Sequence, residues 1–248
     1  MRTALLFTIA VFLLSPAVAA DDNAAFLFAY WPNEGQREQF DAGYRKHLDW
    51  HRKNNDPLPW YGWYVATGER TGMFVDGSFG ITFEAFDNRI KPKEDAANFR
   101  ETTAPYGKTA YRRILRHLPR LGTAARLEER QPSAGIEVVT FFVKPGRAGT
   151  FEACLEQLVA ALGSAKDRPA FTVYRQLSGG AQPAYLVMFP REGYAYFENR
   201  AASLDALIKA HTGAETEREL LALLSGSVQR THSETWRYRT DLSRIPVE

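Results

Sequence analysis

The strongest constraint on how this chain folds is a segment that occurs twice. Gly35 to His51 comes back 111 positions later as Gly146 to Leu162, with Phe40 aligned on Phe151 (151 minus 40). In the second copy Phe151, Leu155, Leu158, Val159 and Leu162 fall at i, i+4, i+7, i+8 and i+11, one apolar stripe of a helix with a 3.6-residue period. In the first copy the same positions read Phe40, Tyr44, His47, Leu48 and His51. A face that is ordinary core in one half therefore carries two imidazoles and a phenol in the other. Further on, Tyr196-Phe197-Glu198-Asn199-Arg200 answers Ala85-Phe86-Asp87-Asn88-Arg89 at the same offset. Such repetition predicts two similar halves.

Within the first half, the apolar row from Ala25 to Trp31 predicts a buried strand stopped by Pro32, and the Asn33-Glu34-Gly35 turn leads into a helix ending near Lys53. Asn54-Asn55-Asp56-Pro57 breaks that helix. A second strand dense in aromatics follows from Trp60 to Ala66, and a third is expected from Ser78 to Phe86. The polar stretch from Lys91 predicts helix, interrupted at Pro105 and resumed over Thr109 to Leu118, before a closing strand over Thr123 to Glu129. The second half repeats the order, with strands at Ile136 to Val143, Phe171 to Leu177, Ala184 to Phe189 and Ser233 to Thr240. Helices are expected at Arg147 to Leu162, Ala201 to Lys209 and Glu215 to Leu224. Each half thus reads β-α-β-β-α-β, the ferredoxin-like order, over residues 21–130 and 131–248.

The first 20 residues have one positive charge at Arg2, an apolar run from Ala4 to Leu14 and a small-residue end at Ala17-Val18-Ala19-Ala20, the order of a secretory signal peptide. That run is too short to span a bilayer, so the mature chain is expected outside the cytoplasm, periplasmic or secreted, with no membrane anchor. Without Arg2 the formal charge falls from +2 to +1, which suggests neither nucleic acid nor anionic lipid as a partner. Cys154 is the single cysteine, which excludes an internal disulfide. It lies beside an apolar helix stripe, where a buried, inert thiol is expected.

The strand that runs into Val143-Lys144-Pro145-Gly146-Arg147, followed by Phe151-Glu152-x-x-Leu155, resembles the opening of the dimeric α/β-barrel superfamily. That superfamily includes the antibiotic-biosynthesis-monooxygenase-like and NIPSNAP-like domains. The resemblance spans about Ile136 to Asn199 and weakens in the first half, where Pro32-Asn33-Glu34-Gly35 replaces the Lys-Pro-Gly turn. It implies an α+β fold in which two tandem ferredoxin-like units face each other sheet to sheet as a pseudo-dimeric α/β barrel. It also implies a small-molecule or haem pocket between the sheet and the helices of one unit, so the chain is expected to be a monooxygenase-like or haem-handling enzyme. A non-catalytic binding or stress-response scaffold is the alternative, since one fold hosts many chemistries.

His47 and His51, one turn apart, are the candidate acid/base or ligand pair, because histidine changes charge near neutral pH. The bland alternative is a pair of satisfied core histidines. Tyr44, Trp60, Trp63 and Tyr64 are expected to line a cavity suited to a small hydrophobic or aromatic molecule. Arg112 and Arg113 on the Thr109 to Leu118 helix offer a basic face for a carboxylate or propionate, with Arg113 the chosen partner and a solvated helix surface the alternative. His-x-x-x-His matches two metal ligands on one helical face, but a third is needed, and Glu84, Asp87 and His117 are the candidates. The sequence leaves metal and cofactor open.

Overall fold

A computed structural model describes residues 23–163, 168–199 and 203–246, so the expected signal segment 1–20 and Arg200 of the repeated motif lie outside the described residues. The first half runs β1 (Ala24–Pro32), α1 (Arg37–Lys53), β2 (Tyr61–Thr67), β3 (Phe74–Ile81), α2 (Phe83–Asp87), α3 (Pro92–Thr102) and β4 (Gly107–His117). The second runs β5 (Gly135–Val143), α4 (Ala148–Leu162), β6 (Thr172–Ser178), β7 (Ala184–Arg191), α5 (Tyr196–Asn199), α6 (Leu204–His211), α7 (Ala214–Ser227) and β8 (Val228–Tyr238). Shifting β1 and β2 by 111 positions lands on the bounds of β5 and β6.

All eight strands pair antiparallel in one closed barrel, in the order β1-β3-β2-β8-β5-β7-β6-β4 with β4 returning to β1. Closure leaves no open sheet edge. The strands of each half are contiguous, and the seams β2–β8 and β4–β6 join the halves. Because strand side chains alternate, each strand sends one set into the barrel and the other out to the helices. Leu27, Tyr61, Trp63, Phe79, Leu115, Tyr174 and Trp236 fill the interior. Outside, Phe40, Tyr44, Leu48, Trp60, Tyr64 and Phe74 form the core under α1, and Phe151, Leu155, Leu158 and Leu162 that under α4.

Four sequence expectations fail here. Thr109 to Leu118 is strand β4, not helix: Tyr111 and Leu115 turn inward and Ile114 outward, and pairing with β1 and β6 completes the barrel. Its long basic side chains hide the two-residue period. Thr123 to Glu129 forms no strand. The Thr123 and Ala124 N–H groups bond to Phe171 O, and Leu127 O accepts the Tyr61 hydroxyl. Finally, β3 ends at Ile81, because the Thr82 hydroxyl accepts the Ala85 N–H and starts α2. At the other end of the chain, β8 starts at Val228, earlier than expected.

α1 and α4 meet their neighbours differently. A Cβ at Gly43 would stand 2.0 Å from Thr102 O, so the end of α3 touches the α1 backbone there. At the matching position in α4, the buried Cys154 instead reaches Leu220 O of α7 at 3.4 Å. Burial pushes its thiol up to about 11.

Candidate active site

The face of α1 that carries His47 and His51 looks onto a cavity of about 370 Å³ between α1, α3 and the outer surface of β1, β3 and β4. Phe28 and Tyr30 of β1, Trp60 before β2, Asp76 of β3, Arg112 of β4 and Phe99 of α3 line it. The contact at Gly43 brings α3 close enough for Asp95 and Asn98, one turn apart on that helix, to reach the histidines.

The two Nε2 atoms lie 3.2 Å apart. Asp95 Oδ1 stands 3.4 Å from that of His47 and 3.5 Å from that of His51. On their other sides both rings are held. His47 Nδ1 is 2.9 Å from Asn98 Oδ1, and His51 Nδ1 is 2.7 Å from Asp56 Oδ2. The His51 contact is short but bent, an ion-pair distance rather than a straight hydrogen bond. A ring lone pair and a carboxylate would repel at that range, so the His51 proton sits on Nδ1. Asp56 also accepts the Trp60 indole N–H at 2.8 Å and the Leu58 N–H at 3.1 Å. Burial works to raise the Asp56 carboxyl, but the His51, Trp60 and Leu58 contacts outweigh it and hold it below the usual range.

Burial first, and then the neighbouring His51, pull His47 down to about 4. Burial, only partly offset by His51 and Arg89, raises Asp95. Deeper in, Tyr44 Oη donates to Asp76 Oδ2 at 2.6 Å, yet burial still pushes the Asp76 carboxyl up to about 7. Because an unfolded imidazole titrates near 6.5, the unfolded chain takes up the His47 proton first as pH falls from 6.5 towards 4. The stability tied to neutral His47 is therefore complete above about pH 6.5 and lost across that window. His47→Leu, which installs the residue found at Leu158, is expected to remove this loss and leave the opposite trend of Asp76 and Asp95, whose raised carboxyls add stability as pH falls. Urea titrations at several pH values check it, and an unchanged slope would place the dependence elsewhere.

Of the residues expected to line a cavity, Tyr44 and Trp60 border this one and three others lie elsewhere. Trp63 points into the barrel, stacked 5.8 Å from Tyr61. Tyr64 shares the outer face with Trp60, but its hydroxyl donates to Asp41, beside Arg37 and Arg239. Arg113 lies over the Tyr111 ring inside the barrel, at 4.4 Å. With β4 a strand, its neighbour Arg112 faces the cavity instead, over Phe28 at 5.6 Å. Of the expected third ligands, Glu84 and Asp87 are exposed, and His117 sits apart beside Glu128 and Tyr174. Asp95 takes that place. Among the described residues, His47, His51 and Asp95 form the one cluster of such groups whose ligand atoms all lie within 4.8 Å of one another.

Asp56, Asp76, Asp95 and Asn98 were not foreseen from the sequence, and Arg112 was named only as part of a basic helix face. A signal existed for two of them, since Asp95 and Asn98 share a face at i, i+3 on a helix with Phe99 as its one large apolar residue. A second cavity of about 240 Å³, between Gly135, Arg191, Tyr194, Phe197 and Trp236, holds neither a histidine nor a carboxylate pair.

No protein-family model and no curated protein matches the sequence. In structure, the chain is similar to a candidate monooxygenase from Lactobacillus acidophilus NCFM, with TM-score 0.55, 13% identity, and 89% of this chain and 95% of that one covered. A candidate chlorite dismutase gives TM-score 0.54 at 11% identity, covering 88% and 95%. A chlorite dismutase variant from Candidatus Nitrospira defluvii gives 0.53 at 8% identity, covering 90% and 92%. At these identities the likeness is one of fold. Eight antiparallel strands closed into a barrel with helices outside, and these neighbours, give the chain the fold of the dimeric α+β-barrel superfamily.

Proposed function

We propose that this protein is an extracytoplasmic enzyme acting on a small planar anion in the cavity under α1. Its frame is two ferredoxin-like units in tandem, 21–130 and 131–248, of which the second is scaffold. One observation carries this proposal: the buried His47 and His51 converge with Asp95 at one cavity, whereas Leu158 and Leu162, which match the histidines in the other half, are plain core. Buried polar clusters cost stability, so the apolar face of α4 at the matching positions shows that the fold does not require one there.

The walls argue for the substrate class. Phe28, Tyr30, Trp60 and Phe99 offer flat apolar faces, and Arg89, Arg100 and Arg112 bring positive charge against Asp76 and Asp95. His47, neutral with its Nδ1 held by Asn98, turns its Nε2 lone pair to the bound molecule, as a base where that nitrogen is free and as a ligand where an ion holds it. A monooxygenase-like reaction fits this arrangement better than haem chemistry. An iron bonded to either Nε2 would push the macrocycle into the other imidazole and Asp95, which stand 3.2 and 3.4–3.5 Å away.

The test is tryptophan fluorescence titrated with benzoate, salicylate and 2-naphthoate, with Trp60 as reporter. Saturable quenching is expected in the wild type, weakened about tenfold or more in Arg112→Ala, since hydrogen bonds to charged groups contribute about 1.5–3 kcal/mol. Arg120→Ala, half-exposed on the opposite side of the barrel, should leave it unchanged. No saturable response to any of the three would favour a non-catalytic scaffold. The mass of protein recovered from its own compartment should correspond to a start near Ala20 or Asp21.

A further inference from the structure

We propose that His47 Nε2, His51 Nε2 and Asp95 Oδ1 are the three protein ligands of a divalent zinc-type ion whose fourth position opens on the cavity. This rests on the proposed function only in taking that cavity as the working one.

Three electron-pair donors meet here. His51 turns Nδ1 to the Asp56 carboxylate, and in the neutral ring this leaves the Nε2 lone pair facing the cluster. His47 Nδ1 lies against the Asn98 side-chain oxygen, which places its proton there and leaves its Nε2 bare as well. Asp95 adds a carboxylate oxygen. A proton placed between any two of these atoms would serve one pair and leave the third donor facing it, whereas one cation serves all three.

The distances select the kind of ion. Around a tetrahedral ion with bonds of about 2.0–2.1 Å, ligand atoms stand about 3.3–3.4 Å apart, whereas an octahedral ion with such bonds brings neighbours to about 2.9 Å. The observed edges are 3.2, 3.4 and 3.5 Å. The triangle is thus already open to tetrahedral size without an ion to set it. Two imidazoles also suit zinc better than the oxygen-seeking magnesium or calcium. Three protein ligands with an open fourth position is the pattern of catalytic rather than structural zinc.

The surroundings are those a metal site needs. Each ligating imidazole has its other nitrogen against an oxygen, Asp56 for His51 and Asn98 for His47, and Asp56 is fixed in turn by the Trp60 indole. Such supports orient the ring and make the free nitrogen a better donor. They come from three separate segments, α1, the loop after it, and α3, so no local turn explains their convergence. An ion here would act as a Lewis acid on an oxygen of the bound anion, while Arg112 holds its other end.

The test uses the full mature protein, stripped with chelator and titrated separately with Zn²⁺ and Co²⁺. One equivalent of Zn²⁺ should be retained through gel filtration, and Co²⁺ should give visible absorption of tetrahedral intensity. His47→Leu should abolish both while its circular dichroism stays native. Asn98→Leu should weaken binding about 10–100-fold, as lost supports of metal ligands do. His211→Ala, exposed at the end of α6, should change nothing. Retention of less than one equivalent by the wild type, octahedral-type cobalt absorption, or undiminished binding in His47→Leu would each overturn the assignment. Repeating the benzoate titration on stripped protein separates the two proposals. Quenching that still depends on Arg112, in a protein that retains no Zn²⁺, would leave the cavity standing and remove the ion. Metal bound without quenching would do the reverse.

Discussion

Replacing Glu234 by alanine is expected to destabilise the folded protein by about 3–5 kcal/mol, as removal of one partner from a buried ion pair does. The side chain of Glu234 is fully buried at one end of the barrel. Its two oxygens take two bonds from Arg70 at 2.6 Å each, one from the Trp236 indole at 3.0 Å and one contact from His232 at 2.9 Å. Burial works to raise this carboxyl, but those partners together hold it below the usual range. Arg113 lies nearby, its own pKa lowered by burial, and shares the Tyr111 ring with Arg70. Deleting the carboxylate would leave two guanidiniums facing each other with their counter-charge gone. Arg70 precedes β3 and Glu234 lies in β8, so the pair also ties the two halves together across the β2–β8 seam. The side chain of Arg70 keeps 18% of its exposure, which places the loss towards the lower end of the range. Urea unfolding measures it, and a loss under about 1 kcal/mol would mean that water takes over the arginines.

The second large effect is a contrast between matched positions. Leu158→Ala should cost about 2–5 kcal/mol, because Leu158 is fully buried among Phe151, Leu155 and Leu162 and its loss leaves a cavity. It should leave aromatic-anion and metal binding untouched. His47→Ala, one repeat earlier, should abolish that binding at a smaller stability cost, since the side chain it removes was buried at a penalty. Thermal unfolding paired with the fluorescence titration tests both. Equal stability losses, with binding unaffected in each, would mean that α1 is core like α4 and that its histidines do no work.

How much of this was legible in the sequence follows from how local each signal is. The helix stripe and its copy 111 positions on depend on the 3.6-residue period alone, so α1 and α4 could be located and the odd pair His47 and His51 recognised. The first two strands of each half are apolar runs between breakers, and they too were readable. β4 was not, because its alternating residues are basic, and what makes them a strand is the pairing with β1 and β6 on either side. Once that strand was misread as a helix, Arg113 was chosen over Arg112, and only alternation on a real strand decides which of the two sees the cavity.

The site divides in the same way. The sequence by itself determined that one face of α1 carries polar groups where its twin carries leucines. It could not choose the third partner, since Asp95 lies 44 positions beyond His51 and is brought to it by the backbone contact of Gly43 with Thr102. Asp56 looked like part of a helix breaker, and it becomes the support of His51 only because the loop folds back under Trp60. Periodicity records which side of its own element a residue faces. Which residues of other elements meet it there depends on how closely backbones approach and in what register strands pair, and those are properties of the folded chain.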